Sequence, residues 1–371
     1  MSTARRSVTG TGGGRIKYKK SLKNKGLCLV LIPNSIIAST PRQIIMSFKK
    51  TLQLNNGITI PQIGFGTWLS KPHEVENAVV WAVEAGYRHL DCAYVYGNQD
   101  EVGAALKKVI PSLVKREDLS ITSKLWNDAH QASQVEKQLD ITLSQLGTPY
   151  LDLYLIHWPV AFVSGRGLFP RRANKPDEVE FDEEPSLVDT WKAMLALRDT
   201  GKVKAVGVSN FTIDHLKAII KATGERPAVN QIEAHPLLPQ DELVEYCKQE
   251  GIHLTAYSPL GNNLRGKTKL VDYPKVKEVA DRVGATTAQV LVAWGVHRGY
   301  SVIPKSVQKD RIIKNFEQIT LSEEDYQKIS KIGVNNHVRF NVPITYSPKW
   351  SINLFDEEEE KGQAEFEVKK E

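Results

Sequence analysis

Three polar residues stand where short apolar segments of this sequence end, a tyrosine follows one of them, and the four side chains suit acid–base chemistry. Asp91, Lys124 and His157 each close such a segment, and Tyr96 follows in the stretch RHLDCAYVYGN. Any one of them alone would serve an ordinary structural role, as an ion-pair member, a core histidine or a loop aromatic. If the segments are neighbouring parallel strands, however, the four side chains meet at one rim. We therefore treat them as one candidate site.

The chemistry that these residues indicate is proton donation to a carbonyl oxygen. A tyrosine hydroxyl titrates near ~10 when unperturbed, and a nearby ammonium such as that of Lys124 favours the phenolate and lowers this pKa. Tyr96 would then be the general acid, with Asp91 pairing the buried charge of Lys124 and His157 orienting the carbonyl. None of the four is an activated nucleophile or belongs to a metal cage, so the electrons must come from a cofactor.

Strand-like and helix-like segments alternate through the region that carries these residues. Segments such as HEVENAVVWAVEAG and SLVDTWKAMLALRDTG have apolar residues at three- and four-residue spacing, typical of amphipathic helices. Eight such β-then-α units predict an α/β fold that closes into a (β/α)8 TIM barrel. The predicted strands are 60–66, 88–92, 119–124, 151–157, 204–208, 228–232, 253–257 and 301–304.

The segments around the barrel have their own signals. Asn56-Gly57 between two alternating runs predicts an N-terminal β-hairpin. Long insertions after strands four and seven, the second with an extra helix, predict long loops at the C-terminal face. We place the barrel at residues 51–355 and expect the charged end, 356–371, to be a solvated, disordered tail. A doubly wound dinucleotide fold is rejected, because GTGGGR lacks the last glycine of the phosphate motif and no strand precedes it.

The charge of the chain is divided unevenly. Residues 1–50 hold 11 of the 49 basic residues and none of the 43 acidic ones, so residues 51–371 carry a net charge of −5 although the whole chain carries +6. The body therefore gives no reason to expect a nucleic-acid partner. The basic leader, 1–50, is interpreted as a disordered extension, with a mitochondrial-type presequence, a poor signal peptide, or a start of translation at Met46 left open.

The cysteines and the hydropathy of the chain indicate the kind of cellular compartment in which the protein works. Cys28, Cys92 and Cys247 have no paired spacing, which argues against a disulfide scaffold or a zinc site and favours a reducing compartment. No apolar run is long enough to span a bilayer, so no membrane partner is expected. We predict a cytoplasmic monomer without a metal, with a mitochondrial location as the alternative if residues 1–45 act as a presequence.

Many separate motifs resemble those of the aldo-keto reductases, over residues 51–355. The family's catalytic tetrad matches Asp91, Tyr96, Lys124 and His157, the four residues reached above. The motifs are GFGTW (64–68), GYRHLDCAYVYGN (86–98), ITSKLW (121–126), LDLYLIHWP (151–159), GVSNF (207–211), NQIEAHP (230–236), AYSPLG (256–261) and IPKS (303–306).

The resemblance also implies NADP(H) as the cofactor and a set of residues that bind it. Two cations and a hydroxyl at the adenosine 2′-phosphate suit a dianionic group, so NADPH is favoured over NADH. The implied contacts are Thr67 near the nicotinamide; Ser209, Asn210 and Gln231 at the carboxamide; Tyr257 stacked on the ring; Ser258 and Leu260 near the pyrophosphate; Lys305, Ser306 and Arg311 at the 2′-phosphate; and Asn315 at the adenine.

Two positions depart from the family pattern. Cys92 stands where Thr usually follows the tetrad aspartate, and a small residue is kept. Lys314 replaces a glutamate that often faces the adenine amino group, which leaves that contact in doubt. The tryptophans divide into two groups: Trp68, Trp126 and Trp158 match aromatic walls of the substrate pocket, and Trp81, Trp191 and Trp294 are interpreted as helix-packing residues.

The expected activity is NADPH-dependent reduction of small aldehydes or ketones by hydride transfer, with Tyr96 as the proton donor. Loop and terminal segments also resemble fungal NADP-dependent glycerol dehydrogenases and glyceraldehyde reductases, so the partner is a small carbonyl or polyol substrate. Three alternatives stay open: oxidation of glycerol by the same site, a non-catalytic NADP-binding protein, and a barrel hydrolase or isomerase. The last would need a carboxylate pair or metal ligands, for which the nine histidines show no spacing.

Overall fold

A computed structural model describes residues 50–262 and 266–371; the predicted leader, apart from Lys50, lies outside these ranges. Strands and short helices alternate from the first described residues onward. The strands are β1 Thr51–Gln53, β2 Thr59–Pro61, β3 Phe65–Gly66, β4 His89–Asp91, β5 Ser120–Leu125, β6 Leu153–Ile156, β7 Arg171–Arg172, β8 Lys175–Val179, β9 Val206–Ser209, β10 Val229–Glu233, β11 His253–Tyr257, β12 Ser301–Val302, β13 Ile352–Asn353 and β14 Phe366–Glu367.

Eight of these strands form one parallel sheet that closes on itself. The hydrogen-bonded order is β3, β4, β5, β6, β9, β10, β11 and β12, with parallel pairing at each step. The two ends of the sheet are joined by backbone hydrogen bonds from Gly64 N to Val302 O (2.9 Å) and from Val302 N to Gln62 O (2.8 Å). The prediction of a (β/α)8 barrel is confirmed.

Each barrel strand is followed by a helix whose apolar face packs on the outside of the sheet. Several helices begin at a capping residue, as at Ser186, Thr212 and Thr286, whose side chains accept a backbone N–H of the first turn. The extra helix predicted after the seventh barrel strand is α7. The helices are α1 Val75–Ala85, α2 Gln99–Val109, α3 Ala132–Leu146, α4 Leu187–Ala196, α5 Ile213–Thr223, α6 Asp241–Gln249, α7 Pro274–Val283, α8 Thr287–His297, α9 Lys309–Phe316 and α10 Glu323–Ser330.

The N-terminal hairpin is present, but it divides a segment predicted as one strand. Residues 59–61 pair antiparallel with 51–53, and the barrel strand begins only at Phe65. Gly57 takes the left-handed backbone that the turn requires, with φ of 84°. Leu54 and Ile60 pack against apolar residues of β6 and β10, so the hairpin covers one end of the barrel. The prediction of extended backbone at 60–66 is confirmed, but the prediction of a single strand there is wrong.

The C-terminal segment 356–371 differs from its prediction as a solvated tail. Phe366 and Glu367 form β14, which pairs parallel with β13. Farther along, the carbonyl oxygens of Lys369 and Lys370 accept the first backbone N–H groups of α4, from Leu187 (3.0 Å) and Val188 (3.2 Å). The segment satisfies a helix start that would otherwise need water.

The acidic run DEEEEK, which suggested solvation, holds this segment in place. Glu360 is only 1% exposed, and its carboxylate accepts the backbone N–H groups of Leu354, Phe355 and Glu357 at 2.9–3.0 Å. Glu357 accepts from Arg339 at 2.7 Å. The charge pattern suggested solvation, but accepted hydrogen bonds offset part of the cost of burying a carboxylate, although burial still raises the pKa of Glu360.

Removing residues 356–371 is expected to lower the free energy of unfolding by about 2–4 kcal/mol, because several buried hydrogen bonds worth roughly 1 kcal/mol each are lost. Urea titration followed by tryptophan fluorescence measures this. A Glu358→Gln substitution is the control, since this side chain is 86% exposed and should leave the transition unchanged. A truncated chain as stable as the full one would mean that the segment contributes nothing to the fold.

In the described ranges, no helix has both the length and the apolar character to cross a bilayer.

Candidate active site

The centre of the candidate site is a buried ion pair beneath a tyrosine hydroxyl. Lys124 is completely buried and Asp91 is 2% exposed. The Lys124 Nζ donates to Asp91 Oδ2 at 2.8 Å, to the Cys92 carbonyl oxygen at 2.9 Å and to the Tyr96 hydroxyl at 3.3 Å. All three protons of the ammonium therefore have acceptors, as a buried charge requires.

The second oxygen of Asp91 is held by a residue from a distant strand. Gln231 on β10 donates its Nε2–H to Asp91 Oδ1 at 2.7 Å, and both side chains are buried. Asp91 is thus fixed between β5 and β10 by two charge-assisted hydrogen bonds. This contact was not expected from the sequence, which assigned Gln231 only to the cofactor.

The turn after β4 places the phenol of Tyr96 over the ion pair. Residues 94–96 form a single 3₁₀ turn, which ends at Gly97 with φ of 65°, a conformation that glycine adopts without strain. Asn98 follows, and its Nδ2 donates to the Thr67 carbonyl oxygen at 3.0 Å, which ties the turn to the loop after β3.

The net pKa shift of Tyr96 is opposite to the one predicted. Burial raises the pKa of Tyr96 to about 12, and the positive charge of Lys124 only partly opposes this. The sequence indicated the charge but not the extent of burial. The phenol consequently keeps its proton over the physiological pH range, which is the form needed by a proton donor.

His157 adjoins Tyr96 at the end of β6. Their rings meet edge to face, with centroids 5.8 Å apart. Burial, together with the Lys124 charge, lowers the pKa of His157 well below its usual value, so the imidazole is neutral. A neutral imidazole carries one N–H that can donate to a carbonyl oxygen, and it does not compete with Tyr96 as a source of protons.

A cavity of about 640 Å³ lies above Tyr96 and His157. Asp91 reaches its floor, whereas Lys124 stays below it. All three tryptophans predicted for the substrate pocket line this cavity, and further aromatic residues that were not predicted line it too. The predicted ones are Trp68, Trp126 and Trp158, and the additional ones are Phe169, Phe340, Tyr346 and Trp350.

The missed aromatic residues come from loops remote from the barrel strands. Trp350 is 1% exposed and packs edge to face against Trp126 (5.9 Å) and Trp158 (5.4 Å). Phe169 lies in the insertion after β6, against Trp126 at 5.4 Å. The cluster YSPKW near residue 350 was the available signal, since loop aromatics beside proline are unusual in a purely solvated segment. The helical tryptophans Trp191 and Trp294 are buried, as predicted.

One wall of the cavity carries polar groups in a connected row. Asn210, with φ of 64°, donates to the His157 carbonyl oxygen at 2.9 Å and accepts from the Tyr257 hydroxyl at 2.7 Å. Ser209 donates to the Gln231 carbonyl oxygen at 2.8 Å. A planar aromatic ring beside fixed amide groups suits a nicotinamide carboxamide. The donor set therefore fits the implied cofactor.

Lys305, the cation predicted to contact a phosphate group of the cofactor, lies among the residues that line the cavity. Its Nζ donates to the Leu69 carbonyl oxygen at 2.6 Å, and within the described residues it forms no ion pair. Burial lowers the pKa of Lys305, so an anion close to it would be stabilising. Ser258 and Leu260 line the cavity beside it, which fits an extended anionic ligand.

Four predicted cofactor residues are not among those that line this cavity. Thr67 is buried, and its hydroxyl donates to the Asp91 carbonyl oxygen at 2.9 Å. Ser306 precedes α9, and Arg311 and Asn315 lie on that helix, Arg311 exposed and Asn315 buried. Their roles stay predictions.

The two residues that depart from the family pattern lie in different surroundings. Lys314 forms an ion pair with Glu317 at 2.7 Å on the exposed side of α9. Burial raises the pKa of the Cys92 thiol to about 12, so it is not a reactive nucleophile. In the described residues, no three His, Cys, Asp or Glu side chains are placed to share a metal ion.

The comparisons with known proteins agree with this geometry. The profile of the Aldo/keto reductase family matches residues 62–334. The chain is 52% identical over 327 residues to the D/L-glyceraldehyde reductase of Hypocrea jecorina. The matched region covers 86% of this chain and 98% of that protein. It is 42% identical over 306 residues to the glycerol 2-dehydrogenase (NADP(+)) of Saccharomyces cerevisiae, covering 81% and 96%.

Solved structures give the same result. The aldose reductase of Schistosoma japonicum matches with a TM-score of 0.74 and 43% identity, over 80% of this chain and 95% of that one. The aldose reductase of Giardia lamblia matches with a TM-score of 0.75 and 41% identity, over 80% and 98%. The chain therefore belongs to the Aldo/keto reductase family, as its motifs predict, and it is an NADP-dependent oxidoreductase that acts on carbonyl groups.

Proposed function

We propose that this chain reduces small aldehydes to alcohols with NADPH, that glyceraldehyde is among its substrates, and that Tyr96 donates the proton. The observation that carries the proposal is the hydroxyl of Tyr96, 3.3 Å from the buried Lys124 Nζ, at the floor of an aromatic cavity. The H. jecorina relative is named for D/L-glyceraldehyde reduction, which supports the substrate class.

The roles of the residues follow from their protonation and contacts. A carbonyl oxygen between Tyr96 and His157 would receive a hydrogen bond from each. The Lys124 ammonium stabilises negative charge on the Tyr96 oxygen as the proton leaves. Asp91, fixed by Gln231, keeps Lys124 in place. When bound, the reduced dinucleotide supplies the hydride, and the polar row at Ser209, Asn210 and Gln231 would hold its carboxamide.

The experiment is a steady-state assay of purified protein that follows NADPH absorbance. The panel contains glyceraldehyde, longer sugars, aromatic aldehydes and keto acids. We expect the largest kcat/KM for small aldehydes, with NADH used less efficiently than NADPH. NADPH that binds while every carbonyl compound stays unreduced would contradict the proposal and favour a non-catalytic binding protein.

Oxidation of glycerol is a second candidate, favoured by the name of the S. cerevisiae relative. In this direction Tyr96 would accept the proton from the alcohol as a phenolate. The same assay with glycerol and NADP⁺ tests it.

The two directions are expected to depend differently on pH. With the pKa of Tyr96 at about 12, the phenol stays protonated up to about pH 11, so kcat for reduction should be nearly constant from neutral pH to about pH 9. The phenolate fraction rises about tenfold per pH unit below the pKa, so kcat for oxidation should rise with pH. His157 stays neutral in this range. Profiles of kcat for both directions measure the effect, and parallel profiles would contradict the assignment of Tyr96.

A monomeric state and a cytoplasmic location are further parts of the proposal. The unpaired, buried thiols of Cys92 and Cys247 support a reducing environment. Light scattering of the purified protein tests the monomer. Mass spectrometry of the native N-terminus, with fluorescence microscopy of a tagged chain, tests whether residues 1–45 remain and where the protein resides.

A further inference from the structure

A second buried carboxylate, Glu233, lies at the end of β10 and takes no part in the proposed chemistry. Glu233 is 1% exposed and belongs to the motif NQIEAHP. Its Oε1 accepts from His235 Nε2 and from the Phe340 backbone N–H, both at 2.8 Å. Its Oε2 accepts from the Asn341 backbone N–H at 2.9 Å and from Asn341 Nδ2 at 2.7 Å.

These four donors keep the Glu233 carboxylate ionised although it is buried. Burial alone would raise the pKa of Glu233, but the hydrogen bond from His235, the positive charge of Arg339 and the Phe340 N–H outweigh it and hold the pKa below its usual value. An ionised group with full coordination fixes its donors closely, because moving any of them would leave buried charge without a partner.

The donors on Phe340 and Asn341 belong to the C-terminal wall of the cavity. Both residues line it, and so do Tyr346 and Trp350 farther along the same segment. The Tyr346 hydroxyl donates to Asn341 Oδ1 at 3.3 Å, and Tyr346 packs against Trp350 at 5.6 Å. Glu233 thus connects a rigid barrel strand to the wall segment 340–350, which has no regular strand or α-helix of its own.

The other side of the cavity is anchored by different elements, although Trp126 contacts Trp350 of the wall segment at 5.9 Å. Trp68 follows β3, Trp126 follows β5, and Phe169 lies in the insertion after β6. A shift of the wall segment would therefore change the width of the cavity. The strand β10 would keep its place in the barrel, so Gln231 would still hold Asp91 and the Asp91–Lys124–Tyr96 arrangement would stay intact.

We propose that Glu233 is a positioning residue that determines which aldehydes are accepted, by anchoring the wall segment 340–350 at the distance that suits small substrates. The inference rests on the proposed reductase function and deepens it. Glu233 would act only through its hydrogen bonds to the wall segment, since it neither lines the cavity nor contacts the reacting atoms.

The test compares Glu233→Gln with the wild type. The amide keeps the shape but has only one acceptor oxygen, so its NH2 group must face N–H donors. We expect KM for glyceraldehyde to rise roughly tenfold, an ordinary loss for a loosened pocket, while kcat and the Kd of NADPH change little. The ratio of kcat/KM for benzaldehyde to that for glyceraldehyde should increase.

Two further variants separate selectivity from general destabilisation. Glu360→Gln perturbs a carboxylate that is equally buried and accepts three backbone N–H groups, but outside the cavity wall, and should leave the ratio unchanged. Asn341→Ala removes one of the four donors and should shift the ratio in the same direction, more weakly, which keeps the proposal testable if Glu233→Gln does not fold. The proposal would be overturned if the benzaldehyde-to-glyceraldehyde ratio of kcat/KM stayed unchanged in a folded Glu233→Gln variant or in Asn341→Ala. An equal change of this ratio in Glu360→Gln would overturn it as well.

A readout without substrate distinguishes this inference from the proposed function. Hydrogen exchange of the backbone amides at 340–350 is expected to accelerate in Glu233→Gln and not in Glu360→Gln. If the wild type reduces no aldehyde, the function fails while the anchoring can still be observed in this way. Exchange that is unchanged in Glu233→Gln would refute the anchoring itself.

Discussion

A Tyr96→Phe variant is expected to reduce aldehydes with a kcat lower by roughly 10²–10⁴-fold, the range typical for removal of a general acid. The ring stays in place and only the hydroxyl above Lys124 is lost. The cavity and its polar row are unchanged, so the Kd of NADPH, measured by titration calorimetry, should stay close to that of the wild type.

The matched control for this variant is Tyr94→Phe. Tyr94 belongs to the same 3₁₀ turn and is also half-buried, but it does not line the cavity above Lys124. Its substitution should leave kcat unchanged. Full activity of Tyr96→Phe would show that another group donates the proton, and equal losses in both variants would indicate that the turn, not the hydroxyl, matters.

Replacing Lys124 by methionine is expected to affect both stability and activity. The chain would keep a buried Asp91 carboxylate with only Gln231 as a side-chain donor. Breaking a buried ion pair in this way destabilises a protein by about 3–5 kcal/mol. Tyr96 would also lose the charge that stabilises its phenolate, so kcat should fall even at temperatures where the variant is folded.

Urea unfolding and steady-state kinetics on the same preparation separate these two effects. Lys204→Met is the control, because Lys204 also donates to a buried aspartate, Asp152 at 2.8 Å, but is 40% exposed. Asp152 keeps Arg116 as a second partner at 2.9 Å. The control should lose little stability and no activity. Wild-type stability of Lys124→Met would mean that the Asp91–Lys124 pair does not support the fold.

Much of the barrel was predictable because its signals are local. Apolar runs, helix periodicity and capping residues repeat with each unit, and the structure places a strand close to every predicted one. The exceptions lie where an element depends on a remote partner. The segment 60–66 divides because its first half pairs with residues 51–53. The acidic end is ordered because Glu357 and Glu360 find donors on either side of the wall segment, at Arg339 and at residues 354–357.

In the candidate site, too, the features with local signals were predictable and those that depend on remote contacts were not. Asp91, Lys124 and His157 were visible in the sequence because a polar residue at the end of an apolar strand is exceptional. The hydrogen bond from Gln231 to Asp91 was not visible in the sequence, since the two residues are 140 positions apart. Trp350 and Glu233 were missed as functional residues because their importance depends on which loop folds over which strand.

The sequence by itself determined the (β/α)8 barrel, the family, and the four residues that meet at its rim, because strand periodicity and residue type fix which side chains reach the carboxyl ends of parallel strands. Only the tertiary structure decided how that rim behaves. Burial, a property of all surrounding atoms together, raises the pKa of Tyr96 where the Lys124 charge alone would lower it. In the same way, the shape of the cavity follows from contacts between segments more than 100 residues apart, such as Glu233 with Asn341, which no local pattern encodes.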